Sequence, residues 1–326
     1  MRDPAGLERL AATLRAGRGL AAKEDIGLAA ARLGLSGASA VPAGDDCAAI
    51  PDGDGYLLLA IEGFINEFVA GDPWFAGWCG VMVNIADVAA MGGRPLAIVD
   101  ALWADGEGTA TPVLAGLRAA SERYGVPVVG GHTNMRTDRG QLAVAILGRA
   151  SRLLTSFDAR PGERLIAAID LRGRYREPFS NWEAATDAPA ARLRGDLDVL
   201  PAIAEAGLSR AAKDISQGGV VGTAAMLAEC SGVGLAIDVR AVPRPEGVAP
   251  ERWLASFPSY GFLLSVAPHH ADEVVARFAR RSIAAADIGA VTAGRRVTIS
   301  DGEATATIWD FAEKPLLGCG PRRAAA

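Results

Sequence analysis

In the segment Asp72–Gly93, DPWFAGWCGVMVNIADVAAMGG, almost everything between the terminal Asp72 and the closing glycines is apolar or small except Asn84 and Asp87. Three residues apart, they share one face of a helix. A helix apolar all round is a buried one. A carboxylate there is costly unless it is paired, hydrogen-bonded or bound to a cation. Asp87 is therefore either a metal ligand or a satisfied buried acid. Three further motifs place polar residues at element ends, where sites tend to be built: Gly44-Asp45-Asp46, Gly130-Gly131-His132-Thr133-Asn134 and Lys213-Asp214-Ile215-Ser216. Asp45 and Asp46 are adjacent like charges whose repulsion a cation would relieve. Taken alone they read as a solvated turn, and it is Asp87 that shifts the balance. Scattered aspartates without a His/Cys cluster suit magnesium better than zinc, because magnesium takes oxygen ligands and substrate phosphates. His132, a lone histidine in a glycine turn, reads by itself as a structural hydrogen-bonding residue. Gly218-Gly219 either lets a helix N-terminus approach an anion or serves as an ordinary cap.

The elements that must position these residues follow from pattern. Asp72 suits an N-cap, Pro73 the first helical position, and Gly92-Gly93 the helix end. Strands are expected at Tyr56–Phe64, with the acid Glu62 near its end, and at Leu96–Ala104, Val126–Asn134 and Gln141–Ala150; Thr109–Tyr124 reads as an amphipathic helix. A proline–glycine turn within 151–163 opens a strand at Leu165–Asp170, and the domain boundary is placed there, giving domains 1–155 and 156–326. Residues 171–195 are polar, arginine-rich and irregular. Helices are expected at Asp196–Gly207, Val220–Cys230 and His269–Arg281. Strands are expected at Gly234–Val239, Ser259–Ala267 and Ile283–Thr292, with short ones near Arg296–Ile299 and Thr305–Trp309. Leu7, Leu10 and Leu14 form one stripe of a surface helix, Gly17–Asp25 a flexible hinge, and the tail from Pro315 is expected to be loose. Strands and helices mix without strict βαβ alternation, which points to an α+β fold. Neither standard phosphate loop, GxxxxGK[ST] or a GxGxxG after a strand, is present.

Composition narrows the class. The 326 residues suffice for about two domains, and half of them are hydrophobic with 22% charged, which excludes a disordered chain. A net charge of −5 without a basic cluster excludes nucleic acid as a partner. Only Lys23, Lys213 and Lys314 are lysines, and two of them sit near the motifs. Cys47, Cys79, Cys230 and Cys319 are too far apart in sequence for a zinc site or a CxxC pair, and their sparseness fits a reducing compartment. Arg9, Arg15 and Arg18 interrupt any signal-peptide core. The Trp74–Met91 run approaches membrane-spanning length, but Asn84, Asp87, Gly77 and Gly80 mark it as protein core. A cytoplasmic, soluble protein with no membrane partner is expected.

The ordered set GDD (Gly44–Asp46), NIADVAAMGG (Asn84–Gly93), GGHTN (Gly130–Asn134) and KDISQGG (Lys213–Gly219) resembles the aminoimidazole ribonucleotide (AIR) synthase superfamily. That group includes formylglycinamidine synthase, thiamine-monophosphate kinase, selenide-water dikinase and a hydrogenase-maturation protein. The likeness spans residue 41 to about 310 and is strongest to AIR synthase-related members whose substrate is not known. It implies a two-domain α+β fold with a C-terminal α/β sandwich, a homodimer formed through the N-terminal sheet, and ATP with magnesium in a cleft lined by both domains. It also implies phosphorylation, or activation by phosphorylation, of a small metabolite. Carried onto this chain, Asp45, Asp46, Glu62, Asp87 and Asp214 are the metal-ligand candidates. Gly44, Asn84, Gly130, Gly131, Thr133 and Lys23 are the nucleotide-side candidates, and Asp46, Asp214 and His132 the catalytic ones. His132 stands where thiamine-monophosphate kinase has aspartate and selenide-water dikinase has histidine. No cysteine precedes Cys47, which argues against selenium chemistry, and seven residues follow Cys319, which argues against a terminal thiocarbamate. Alternatives are a thiamine-monophosphate-kinase-like reaction, a nucleotide- or metabolite-binding protein without turnover, and an amide-activating enzyme in which Arg172–Arg194 grips a phosphorylated substrate.

Overall fold

Three short helices open the chain: α1 (Pro4–Arg15), α2 (Arg18–Ala21) and α3 (Glu24–Leu33). The structure, a computed structural model, describes residues 4–35 and 39–320. Next come β1 (Ala48–Asp52), β2 (Gly55–Phe64), α4 (Asn66–Gly71), α5 (Pro73–Ala90), β3 (Arg94–Asp105), α6 (Glu107–Tyr124), β4 (Val128–Asn134) and β5 (Arg136–Ala150). The C-terminal half holds β6 (Arg164–Ile169), β7 (Arg174–Tyr175), β8 (Asn181–Glu183), α7 (Ala190–Leu197), α8 (Val199–Glu205), β9 (Ser209–Asp214), α9 (Gly219–Ser231) and β10 (Gly234–Asp238). It ends with α10 (Pro250–Leu254), β11 (Phe257–Pro258), β12 (Gly261–Val266), α11 (Ala271–Ala279), β13 (Ala284–Thr292), β14 (Arg296–Ser300) and β15 (Thr305–Asp310). Helices and mostly antiparallel sheets mix in both halves, the expected α+β class.

The chain forms two compact units. Asp46–Leu153 with Thr186–Ala202 makes one, around a five-stranded sheet of order β1-β2-β5-β3-β4 in which only β3 and β4 run parallel. α5 starts as its sequence requires: the Asp72 side chain accepts the Phe75 N–H at 3.2 Å, with Pro73 at the first position. It packs on α6 at very close range. A Cβ on Gly77 would meet the Val113 carbonyl oxygen at 2.0 Å, and one on Gly116 the Trp74 oxygen at 1.9 Å, so glycine is needed on both helices. α5 covers one face of the sheet, burying Leu58, Leu102, Leu142, Val144 and Ile146.

The other unit, Met1–Asp45 with Leu154–Ala185 and Ile203–Ala326, is built on a seven-stranded sheet of order β15-β14-β10-β13-β6-β12-β9 and a small sheet β11-β8-β7. The sequence reading needs correction at several points. Leu7, Leu10 and Leu14 do not lie on a surface helix; they enter the core of this unit beside Trp253 and Leu254. Residues up to Asp45 therefore group with the C-terminal half and not with a 1–155 domain. The tail from Pro315 is not loose through Gly320. Leu316 and Leu317 are buried, and the Glu229 carboxylate accepts the N–H groups of Leu316, Leu317 and Gly318 at 3.1, 2.5 and 3.1 Å. The remainder of the tail, 321–326, lies outside the described residues. The irregular stretch 171–195 contributes β7, β8 and most of α7, and the single helix expected at Asp196–Gly207 is replaced by the end of α7 and by α8.

Candidate active site

Within the five-stranded unit, Asp46 lies two residues before the start of β1 and Asp87 lies in the last turns of α5. Each presents a carboxylate oxygen within 4.8 Å of the other. Asp87 is only 5% exposed and is the one charged side chain on its helix; Asp46 is half-buried. Two like charges at this separation, one out of water, favour a cation between them. An all-oxygen donor set selects a hard cation such as magnesium.

Several other sequence candidates make contacts of their own. Asp45, expected as a cation ligand, is a structural acceptor: its Oδ2 takes the Ser156 N–H at 2.9 Å and its Oδ1 the Ser156 hydroxyl at 2.6 Å. Gly44 has φ +114°, and a Cβ there would meet Cys319 Cβ at 2.8 Å, so packing alone demands glycine at this position. Glu62 shares the α5-covered face of β2 with Leu58 and Ala60, but it does not join the carboxylate group. Asn84 is wholly buried, and its amide donates to the Gly80 and Val144 carbonyls at 2.8 and 3.0 Å, tying α5 to β5. Its buried Oδ1 has no hydrogen bond among the described residues.

β4 is an exposed edge strand, and its alternation separates the GGHTN residues. Gly131 and Thr133 pair with Asp100 and Leu102 on the α5-covered face. Gly130 and His132 pair with Val99 and Ala101 on the opposite face, where the His132 ring lies 5.9 Å from that of Trp103. His132 therefore stands on the face of the sheet away from the helix that carries Asp87. A Cβ on Gly131 would meet Asp100 Oδ1 at 2.5 Å. Asp100 is a polar residue that sequence reasoning passed over, although an acid inside the apolar run LAIVDALWA was the available signal. Its Oδ2 is out of solvent and without a hydrogen bond among the described residues, and burial pushes its pKa up.

In the seven-stranded unit, Asp214 ends β9, buried opposite Phe262 of β12. Lys213 is also buried, with Nζ 3.4 Å from the Ser156 hydroxyl. Lys23 stands half-buried at the start of α3. Packing demands glycine at 219, where a Cβ would meet the Leu254 oxygen at 2.1 Å, and Gly19 of α2 closes on the Gln217 oxygen. Arg172 is forked onto Asp170 at 2.7 and 3.1 Å, and Arg194 donates to the Glu122 and Arg123 carbonyls.

The sequence of the family described as "AIR synthase related protein, N-terminal domain" matches residues 44–150, and its "C-terminal domain" counterpart matches residues 180–302. The chain belongs to the AIR synthase-related family. An uncharacterised protein of Synechocystis is 47% identical over 306 residues, 92% of this chain and 94% of that protein. The PurL subunit of phosphoribosylformylglycinamidine synthase from Methanopyrus kandleri is 30% identical across 80% of this chain and 40% of its own length. Thiamine-monophosphate kinase of Pyrococcus horikoshii is 30% identical across 45% of this chain and 48% of its own. Among solved structures, T. maritima PurL complexed with ATP superposes with a TM-score of 0.73 at 20% identity, covering 86% of this chain and 47% of that one. AaThiL complexed with AMPPCP and TMP gives 0.66 at 21%, covering 86% and 95%. These structural likenesses establish the fold. The chain spans about half the length of the PurL chains it matches. Among the described residues no helix is long and apolar enough to cross a membrane.

Proposed function

We propose that this protein binds ATP through magnesium and uses the γ-phosphoryl group to phosphorylate or activate a small polar metabolite. The observation that carries the reading is the Asp46–Asp87 pair, with oxygens within 4.8 Å and one member buried on an otherwise uncharged helix. Magnesium at that position would neutralise charge on phosphoryl oxygens. Asp46 and Asp87 would hold it, and Asp214 is proposed as a further carboxylate ligand, on the strength of the motif order GDD, NIAD, KDIS. Gly44, Gly130, Gly131, Thr133 and Lys23 stay as proposed nucleotide-side positions. Support for the nucleotide comes from family membership and from relatives whose structures carry ATP or AMPPCP.

A homodimer through the five-stranded sheet is part of the proposal. On the face away from α5, Ile61, Ala145 and Val99 form one cross-strand row, flanked by Leu59 and Ile50. Ile61 is 68% exposed, and Leu59, Val99 and Ile50 are exposed as well. A contiguous apolar sheet face of this kind marks an interaction surface, and a second copy supplies its complement.

The test is equilibrium binding of ATP with and without magnesium, followed by ADP formation in the presence of thiamine monophosphate, of FGAR and of other small phosphorylated acceptors. Magnesium-dependent binding with acceptor-stimulated ADP release is the expected result. Absence of metal-dependent nucleotide binding removes the reading. Binding without ADP formation leaves the nucleotide-binding alternative.

A further inference from the structure

Asp45 and Asp46 are adjacent, yet only Asp46 approaches Asp87. What separates their fates is Ser156, a fully buried residue that no motif singled out. Ser156 grips Asp45 twice, through its backbone N–H at 2.9 Å and its hydroxyl at 2.6 Å. It is itself fixed from two further sides. Its carbonyl accepts the Ser231 hydroxyl at 2.7 Å, and that hydroxyl oxygen accepts the Ala159 N–H at 3.1 Å. The buried Lys213 ammonium reaches its hydroxyl oxygen at 3.4 Å. Next to Ser231, Cys230 lays its thiol 3.8 Å from the Gly44 carbonyl oxygen. The 44–45 loop, the 154–159 segment, the end of β9 and the end of α9 thus meet around one residue, all within the seven-stranded unit.

We infer that Ser156 is a positioning residue for the cation site: by clamping Asp45 it fixes the peptide that leads into Asp46, and so the direction of the Asp46 carboxylate. Two adjacent acids on a free loop would compete for one cation and sample many rotamers. Tying the first to a buried hydroxyl leaves the second as the ligand. Lys213 is a buried positive charge on the Ser156 hydroxyl that grips the half-buried Asp45, and it sits directly before Asp214. Residues that orient a metal ligand, without touching the metal, typically change metal affinity ten- to hundredfold when removed.

This inference rests on the cation reading above, so the experiment reads two things. Manganese binding, followed by electron paramagnetic resonance, is measured for wild type, Ser156→Ala, Asp45→Asn and the double variant. Hydrogen exchange is followed in the peptide covering Gly44–Cys47. Ser156→Ala is expected to weaken manganese binding ten- to hundredfold and to speed exchange in 44–47. The double variant is expected to bind no more weakly than the worse single one, because both act through one contact. Asp87→Asn should abolish manganese binding and leave 44–47 protected. Unchanged manganese affinity in a folded Ser156→Ala protein, or additive losses in the double variant, would overturn the inference. If wild type binds no manganese, the cation reading fails, and exchange at 44–47 still decides whether Ser156 holds this loop: wild-type exchange in Ser156→Ala refutes it.

Discussion

Removing the charge of Asp87 should stabilise the metal-free protein while abolishing its response to magnesium. The carboxylates of Asp46 and Asp87 lie within 4.8 Å of each other. At an effective dielectric of about 20, two unit charges at that distance repel by about 3 kcal/mol. Solvent at the half-buried Asp46 screens part of this, and Asp87→Asn also changes the contacts of the other oxygen, so a net gain of about 1–2 kcal/mol is expected for the metal-free variant. At about 2–4 °C for each kcal/mol, its melting temperature rises by several degrees in EDTA. Wild type should gain stability on adding millimolar magnesium, since a ligand that binds only the folded state adds RT ln(1 + [L]/Kd); the variant should not. The assay is differential scanning calorimetry of both proteins in EDTA and across a magnesium titration. A variant less stable than wild type in EDTA, together with a wild type indifferent to magnesium, would refute the reasoning that this pair exists to hold a cation. The trade of stability for function at such a pair is the usual pattern.

Other outcomes follow from particular contacts. Glu229→Ala strands the three N–H groups of Leu316, Leu317 and Gly318; at about 1–3 kcal/mol for each unsatisfied buried donor, a loss of roughly 3 kcal/mol or more is expected, seen as a lower melting temperature and faster proteolysis of the C-terminal strap. Asp100 has its pKa raised by burial, so its protonated form is favoured in the fold. Its contribution is fully present below the ordinary carboxylate range and is lost as pH rises through the raised value. Asp100→Asn should therefore match wild type in acid and exceed it in thermal stability towards neutral pH. Ile61→Asp, at the centre of the exposed sheet face, should convert a dimer to a monomer in sedimentation equilibrium with no loss of the monomer's helical signal.

Local signals were readable from the text. Asp72, Pro73 and Gly92 bracket α5 because capping is decided within a turn of the helix end. The apolar runs of β2, β3, β5 and β12 declared themselves by length and composition. What failed was anything that needed a partner far along the chain. The Leu7–Leu10–Leu14 stripe announced an apolar face, but periodicity does not say what covers that face, and here it is the core around Trp253. The tail looked loose because its anchor, Glu229, lies 87 to 89 residues upstream. His132 belonged to a motif read as a unit, yet strand alternation sends neighbouring residues to opposite faces, and it sends His132 to the face away from α5.

The chain's own text determined the inventory: which elements form, and that acids sit at their ends, because propensity, caps and periodicity act over a few residues. Only the tertiary structure decided which acids do what. Asp45 and Asp46 are indistinguishable as neighbours in a sequence. One is bound by a serine 111 residues away and the other faces a carboxylate on α5, because those partners are brought near by packing that no local window contains.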